Sequence, residues 1–186
     1  QENWLRSCAS RRRVWCADRG IAACRRAQIV PDALLGDQDS GSSEDWKWAA
    51  ESGSRIAKFP CDKDWTDLQL VLQDVGSACG AVTAIVSGCF GGRFDHVWAN
   101  AASLIWSKEW GIRGWILADE QEMLVLLPGP AEFTVEQWNE PAVISLLPLA
   151  GACRGVTMYG GHWALPSDLL LPTQPATICN RPQQGT

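Results

Sequence analysis

Long apolar runs, an excess of basic charge and paired metal-binding cysteines are what this 186-residue chain lacks. No stretch approaches the ~18 consecutive apolar residues that a spanning helix needs, and no secretory leader pattern is present. The expectation is a cytoplasmic protein with no membrane partner. The chain opens on Gln1 rather than Met, so its N-terminus is expected to be trimmed or incomplete. Sixteen Lys and Arg stand against 21 Asp and Glu, a net charge of −5. That balance argues against nucleic acid as a partner, because phosphate backbones are bound by basic surfaces. The single basic run, Arg11-Arg12-Arg13, is short enough to read as a solvated face.

Eight cysteines are present but none forms C-x-x-C, and only two histidines accompany them. Zinc therefore has little support. Cys16 lies inside Val14-Trp15-Cys16-Ala17, and reduced, buried thiols are the expectation. The eleven Trp are expected mostly to fill core. There is no G-x-S-x-G elbow, no Walker loop and no Rossmann fingerprint, which removes the signatures of serine hydrolases and of two common nucleotide sites. His96 falls inside a helix pattern and His162 in a turn with no catalytic partner nearby.

What is present is a globular composition, 46% apolar and 20% charged, sufficient to bury a core. Up to about residue 110, strand-like runs at 14–17, 33–35, 55–59 and 81–86 alternate with helical patterns. Helices are expected over 21–27, within 41–53, from 64 onward and over 95–108. Leu68, Val71, Leu72 and Val75 recur at helical spacing, with Asp64 or Thr66 placed to cap the first turn. Alternation of this kind implies a parallel α/β sheet. Beyond 110, short runs at 114–118, 123–127, 132–135, 142–147 and 155–159 are separated by Pro- and Gly-rich turns, including residues 139–141. These read as a β-sandwich or barrel. The expected fold is thus an α/β domain over 1–110 followed by an all-β domain over 111–186.

Three polar clusters fall where open α/β sheets bind ligands, at the carboxyl ends of strands. Gly36-Asp37-Gln38-Asp39-Ser40 offers two carboxylates in one loop. They suit a hard cation such as Mg²⁺, or equally an Asx turn. Asp62-Lys63-Asp64-Trp65-Thr66-Asp67 crowds a lysine among carboxylates at a helix start. Acidic residues there satisfy amides and the dipole, while a lysine near a metal-bound polyphosphate neutralises charge. Gly88-Cys89-Phe90-Gly91-Gly92-Arg93-Phe94-Asp95-His96 joins a strand to a helix, where glycines permit close approach to phosphate.

In this order the three motifs resemble thiamine pyrophosphokinase, a family with G-D-x-D-S, then D-K-D-x-T-D, then G-x-x-G-G-R-x-D-H. Cys16-Ala17-Asp18-Arg19-Gly20 is similar to its A-D-G-G segment. Residues 143–149, Gly155-Val156-Thr157, Gly161-His162-Trp163 and Cys179-Asn180 resemble its thiamine-binding β domain, with Cys179 where a Ser is usual. The family usually carries a strand before this region and β structure after it, so both ends are expected to be shortened.

The resemblance implies an α/β catalytic domain and a C-terminal β-sandwich. It also implies a homodimer with shared active sites, and a reaction in which ATP and thiamine give AMP and thiamine diphosphate. It implies Mg²⁺ on Asp37, Asp39 and Asp67, and Asp95 at the thiamine hydroxyl. Asp18, Gly20, Lys63, Gly91, Gly92 and Arg93 would serve the nucleotide, and Trp163, Cys179 and Asn180 the thiamine. Two rivals stand beside this reading. One is a phosphohydrolase using Asp37 as nucleophile, although Gly41 occupies the place where Thr or Val is expected. The other is a thiamine- or nucleotide-binding protein without turnover.

Overall fold

The structure is a computed structural model and describes residues 1–136 and 142–183. The chain divides into two compact units, Gln1–Ala131 and Glu132–Thr186.

The first unit opens with helix α1 (Glu2–Ala9). Strands β1 (Trp15–Ala17), β2 (Ala33–Gly36) and β3 (Arg55–Lys58) then alternate with helices α2 (Ile21–Arg26) and α3 (Ser43–Glu51). The three strands form a parallel sheet in the order β1-β2-β3. Strand side chains alternate between faces, and the register aligns them into two cores. Cys16, Leu34 and Ile56 line one face, where Ile21 and Cys24 of α2 and Trp46 and Ala49 of α3 pack. Trp15, Ala17, Ala33, Leu35 and Ala57 line the other, against Val71 and Val75 of α4 (Asp67–Cys79). The central strand β2 is buried throughout. Asp74 of α4 accepts from the Trp15 indole at 2.6 Å and pairs with Arg55, tying the helix across the sheet.

A second sheet is mixed. Strand β4 (Thr83–Val86) runs parallel to β5 (Gly114–Ala118), which pairs antiparallel with β6 (Met123–Leu126). Helix α5 (Phe94–Trp106) crosses from β4 toward β5. The β5–β6 hairpin turns on Asp119, whose carboxylate accepts from the amides of Gln121 and Glu122. The runs at 114–118 and 123–127 therefore belong with the α/β elements. The break expected near residue 110 lies inside the first unit, because β5 takes β4 as its hydrogen-bonding neighbour. Among the described residues, no helix is long and apolar enough to cross a membrane.

The second unit differs from the expectation of regular strands at 132–135, 142–147 and 155–159. Its described residues pair only at isolated antiparallel bridges: Ile144 with Asn180, Cys153 with Leu170, and Gly161 with Pro182. Prolines at 148, 166, 172, 175 and 182 and the glycines among them remove ladder donors or side-chain packing, which stops each pairing from extending. The expected turn at residues 139–141 lies outside the described residues.

Two composition-based expectations need correction. Of the Trp, only Trp46 and Trp115 are buried among the described residues, while Trp98, Trp106 and Trp163 are exposed. Several instead stack on one another: Trp65 lies on Trp106 at 4.9 Å between ring centroids and meets Trp110 edge-on. All eight cysteines are free thiols, yet only Cys16 and Cys89 are buried.

Candidate active site

The parallel pairing of β1 with β2 places their carboxyl ends side by side. Asp18 follows β1 and Asp37 follows β2. Asp67 is the first residue of α4, which lies against both strands. Asp18, Asp37 and Asp67 each offer a carboxylate oxygen, and these oxygens lie within 4.8 Å of one another.

Each carboxylate is fixed differently. Asp18 is buried and has a positive φ of 32°. It accepts from the Gln38 amide at 3.2 Å and from the Ser40 hydroxyl, so the β2 loop folds over it. Gly36 makes that fold possible: at φ +154°, a Cβ there would stand 2.8 Å from the Asp18 Cβ. Asp37 accepts from Lys63 Nζ at 2.5 Å and from the Asp39 amide. The hydrogen bond from Lys63 is the main reason its carboxyl is held below the usual range. Asp67 is the opposite case. Burial pushes its carboxyl up, offset in part by Lys63. Its Oδ1 is buried without a hydrogen-bond partner, although Lys63 Nζ stands 3.3 Å away. Lys63 itself is raised, first by its bond to Asp37.

The turn that carries Lys63 is anchored on both sides. Thr66 accepts from the Gln69 amide while the Gln69 side chain accepts from the Thr66 amide, a reciprocal capping box. Gln69 also donates to the buried Ser103 of α5 at 3.0 Å.

Three close carboxylates, one bearing a buried oxygen without a donor, suit a small oxygen-seeking dication. The residues present therefore fit Mg²⁺. Asp39, expected among its ligands, is exposed and is not among the three clustered carboxylates, although its amide and its side chain both interact with the Asp37 carboxylate. Asp18, expected to shape a nucleotide pocket, stands in the carboxylate group instead. That grouping depends on the adjacency of β1 and β2, which spacing along the chain does not reveal.

The third motif forms the β4–α5 loop. Gly91 and Gly92 sit at φ +79° and +69° in open space, a conformation that other residues adopt only with strain. Cys89 is buried and anchors the loop through the Asn100 amide, which donates to its carbonyl. Arg93 grips Asp95 through two bonds, Nε to Oδ1 at 3.1 Å and a terminal nitrogen to Oδ2 at 2.5 Å. The Arg93 guanidinium holds the Asp95 carboxyl below its ordinary range. Both are exposed, and Asp95 is not among the three clustered carboxylates. Gly20 lies in the helical turn after Asp18, where a Cβ would meet Cys16 Sγ at 3.3 Å.

In the second unit, Trp163 and Asn180 are joined twice. The Trp163 amide donates to Asn180 Oδ1 at 3.2 Å, and Asn180 Nδ2 donates to the Trp163 carbonyl at 2.8 Å. Asn180 is buried, whereas the Trp163 ring is 50% exposed and so is not core. Trp163, Leu165, Thr177, Ile178 and Asn180 line a small cleft of about 140 Å³. The Arg181 guanidinium lies 5.0 Å from the Trp163 ring centroid, and His162 meets the ring edge-on. Cys179 is exposed at φ +60°, its amide bonded to Ser145 Oγ.

Residues 5–116 match the family described as thiamin pyrophosphokinase, catalytic domain. A thiamine pyrophosphokinase of Bacillus subtilis is 26% identical over 148 residues, which cover 80% of this chain and 68% of that protein. Thiamine pyrophosphokinase 1 of rice is 28% identical over 146 residues. That match covers 75% of this chain, which spans about half (54%) of the rice protein's length. In fold, the chain is similar to a crystal structure of the Bacillus subtilis thiamine pyrophosphokinase. The TM-score is 0.82 at 22% identity, covering 98% of this chain and 85% of that one. A thiamin pyrophosphokinase from Geobacillus thermodenitrificans gives a TM-score of 0.71 at 21% identity, covering 97% and 82%.

Proposed function

The chain belongs to the thiamine pyrophosphokinase family of enzymes, and we propose that it transfers a diphosphate from ATP to the hydroxyl of thiamine. The observation that carries this reading is the convergence of Asp18, Asp37, Asp67 and Lys63 from three chain segments at the strand ends. In the proposed reaction the thiamine oxygen bonds to the β-phosphorus. The bond from that phosphorus to the α–β bridging oxygen breaks, AMP leaves, and the hydroxyl proton passes to solvent.

Asp18, Asp37 and Asp67 would hold Mg²⁺, which would supply neutralisation of the polyphosphate charge. Lys63 lends its ammonium to the polyphosphate, a charge-assisted contact. Gly91 and Gly92 let the backbone approach phosphate, with Arg93 beside them. Asp95 is a weak base in its grip by Arg93, so it orients the thiamine hydroxyl by accepting its hydrogen bond. Phosphoryl transfer asks little more than such positioning. Asp39 and Gly20 serve the nucleotide from the loop margins.

Residues 132–186 are proposed as the thiamine-binding β domain. Trp163 offers a half-exposed aromatic face to the cationic thiazolium, and Asn180 and Cys179 border it. A homodimer in the cytoplasm completes the reading.

Incubation with ATP and Mg²⁺, with and without thiamine, tests it. AMP appearing only with thiamine, matched by thiamine diphosphate, is expected. Phosphate released without thiamine would favour a phosphohydrolase built on Asp37. Binding of both ligands without AMP would favour a protein lacking turnover.

A further inference from the structure

Lys63 occupies an unusual position for a lysine. Its side chain is only 13% exposed, and its Nζ lies 2.5 Å from Asp37 Oδ2 and 3.3 Å from Asp67 Oδ1. Lysine is rarely this buried without paired charge. Here the partners are two of the three clustered carboxylates themselves. The ammonium thus stands against the oxygens that a dication would claim.

The two contacts are unequal. Asp37 receives a short bond that also draws its carboxyl down. Asp67 Oδ1 receives proximity without hydrogen-bond geometry, and no other described donor reaches it. One ammonium brings a single positive charge to three carboxylates, so the group is neutralised in part, and Asp67 Oδ1 is left as an open acceptor. A lysine head is a compact charge on a flexible four-carbon chain, and polyphosphate oxygens are stronger attractors for it than solvent.

We infer that Lys63 is a placeholder cation. In the nucleotide-free protein it holds the carboxylates together and excludes free Mg²⁺. A metal-bound nucleoside polyphosphate draws its ammonium away and delivers the dication to the freed oxygens. The site would therefore select the metal–polyphosphate complex over the separate metal. This rests on the metal-site reading above, and it adds an order of binding that the reading alone does not fix. Positive charge withdrawn from a largely desolvated site leaves the carboxylates a stronger trap for a dication, since screening there is weak.

The test is calorimetric titration of Mg²⁺ into nucleotide-free protein. Lys63→Met is expected to bind Mg²⁺ about tenfold more tightly than the wild type, a change within reach of one removed unit charge at this range. Addition of a non-hydrolysable ATP analogue should raise the wild-type affinity far more than that of Lys63→Met. If Lys63→Met does not fold, as judged by its melting curve, Lys63→Gln keeps a polar stem and carries the same expectation. Equal or weaker Mg²⁺ binding by the folded variant overturns the inference. Asp37→Asn separates the two levels. If it leaves Mg²⁺ binding unchanged in the presence of the analogue, the metal site itself is misplaced. If it weakens that binding while Lys63→Met gains nothing, only the placeholder role fails.

Discussion

The two units solve the same problem by different means. In the first, buried backbone groups are paired by parallel and antiparallel ladders and by helices. The core is aliphatic, and Leu34, Leu35, Leu72, Leu104, Ile112 and Leu117 are almost fully buried. In the second, described residues meet at three isolated bridges, and side chains supply much of the rest. Thr177 Oγ1 donates to the Leu146 carbonyl at 2.5 Å, and Asn180 knits three backbone groups around Trp163 and Arg181. Leu170 is the one large aliphatic side chain buried there among the described residues. The contrast suits the proposed division of labour. The carboxylates proposed to share a cation sit at two strand ends and a helix start, where placement is set by packing. A flat cationic ring needs a face and a few hydrogen bonds, and loops tied by polar side chains can present those.

Substitution of the clustered carboxylates should widen this contrast most. Asp37→Asn and Asp18→Asn are expected to lower turnover by about two to three orders of magnitude, the scale for losing a preorganised charge at a phosphoryl-transfer site. Asp39→Asn should cost less, because its carboxylate is exposed and is not one of the three clustered groups. Steady-state kinetics at limiting Mg²⁺ check this, and an Asp39 effect equal to that of Asp37 would redraw the site.

Core truncation comes next. Leu34→Ala removes a fully buried side chain between two helices and should cost about 2–5 kcal/mol of stability. Leu170→Ala, in a unit with little aliphatic core to collapse around it, should cost visibly less. Chemical denaturation followed by far-ultraviolet circular dichroism reads both, and equal losses would erase the difference between the units.

Trp163→Ala should weaken thiamine binding by about 1–2 kcal/mol, the range for an aromatic face on a desolvated cation. ATP binding and melting temperature should barely move, because the ring is half exposed. A large fall in melting temperature with unchanged thiamine affinity would return Trp163 to a packing role.

Much of the first unit was legible in the sequence. Strand runs at 14–17, 33–35, 55–59 and 81–86 and both long helices emerge near their expected bounds, because apolar period and caps are local signals. Thr66, one of two expected caps, closes a full capping box. Helix α1 was missed, although Trp4, Leu5 and Cys8 make a half-buried stripe at helical spacing. Its polar residues masked that stripe. The second unit was misjudged for the converse reason: β-like runs imply strands only where partners line up, and register between distant loops leaves no trace in spacing. The same limit hid not Asp18 itself, expected at the nucleotide, but its place among the clustered carboxylates. Its place beside Asp37 depends on which strands are neighbours, whereas Asp37, Lys63 and Asp67 announced themselves by local crowding.

Acidity supplies the smallest effect. Asp37 has its carboxyl lowered by Lys63, so the stability it contributes is present above the ordinary carboxylate range near pH ~4. That contribution is lost as pH falls through the lowered value in the folded state. Asp67, raised by burial, acts in the opposite sense, its cost growing as it ionises. The net acid destabilisation should therefore be modest, and Lys63→Met should reduce the Asp37 part of it. Melting temperature measured between pH 3 and 7 for both proteins shows whether it does.

The most direct test follows the phosphorus. Wild-type protein and Asp37→Asn are incubated with ATP, thiamine and Mg²⁺, and nucleotide and thiamine products are quantified together. Equal amounts of AMP and thiamine diphosphate from the wild type, both falling by about two orders of magnitude or more in Asp37→Asn, are expected from a metal-holding carboxylate. Formation of ADP with thiamine monophosphate, or product formation indifferent to Asp37, would contradict a diphosphate transfer centred on these carboxylates.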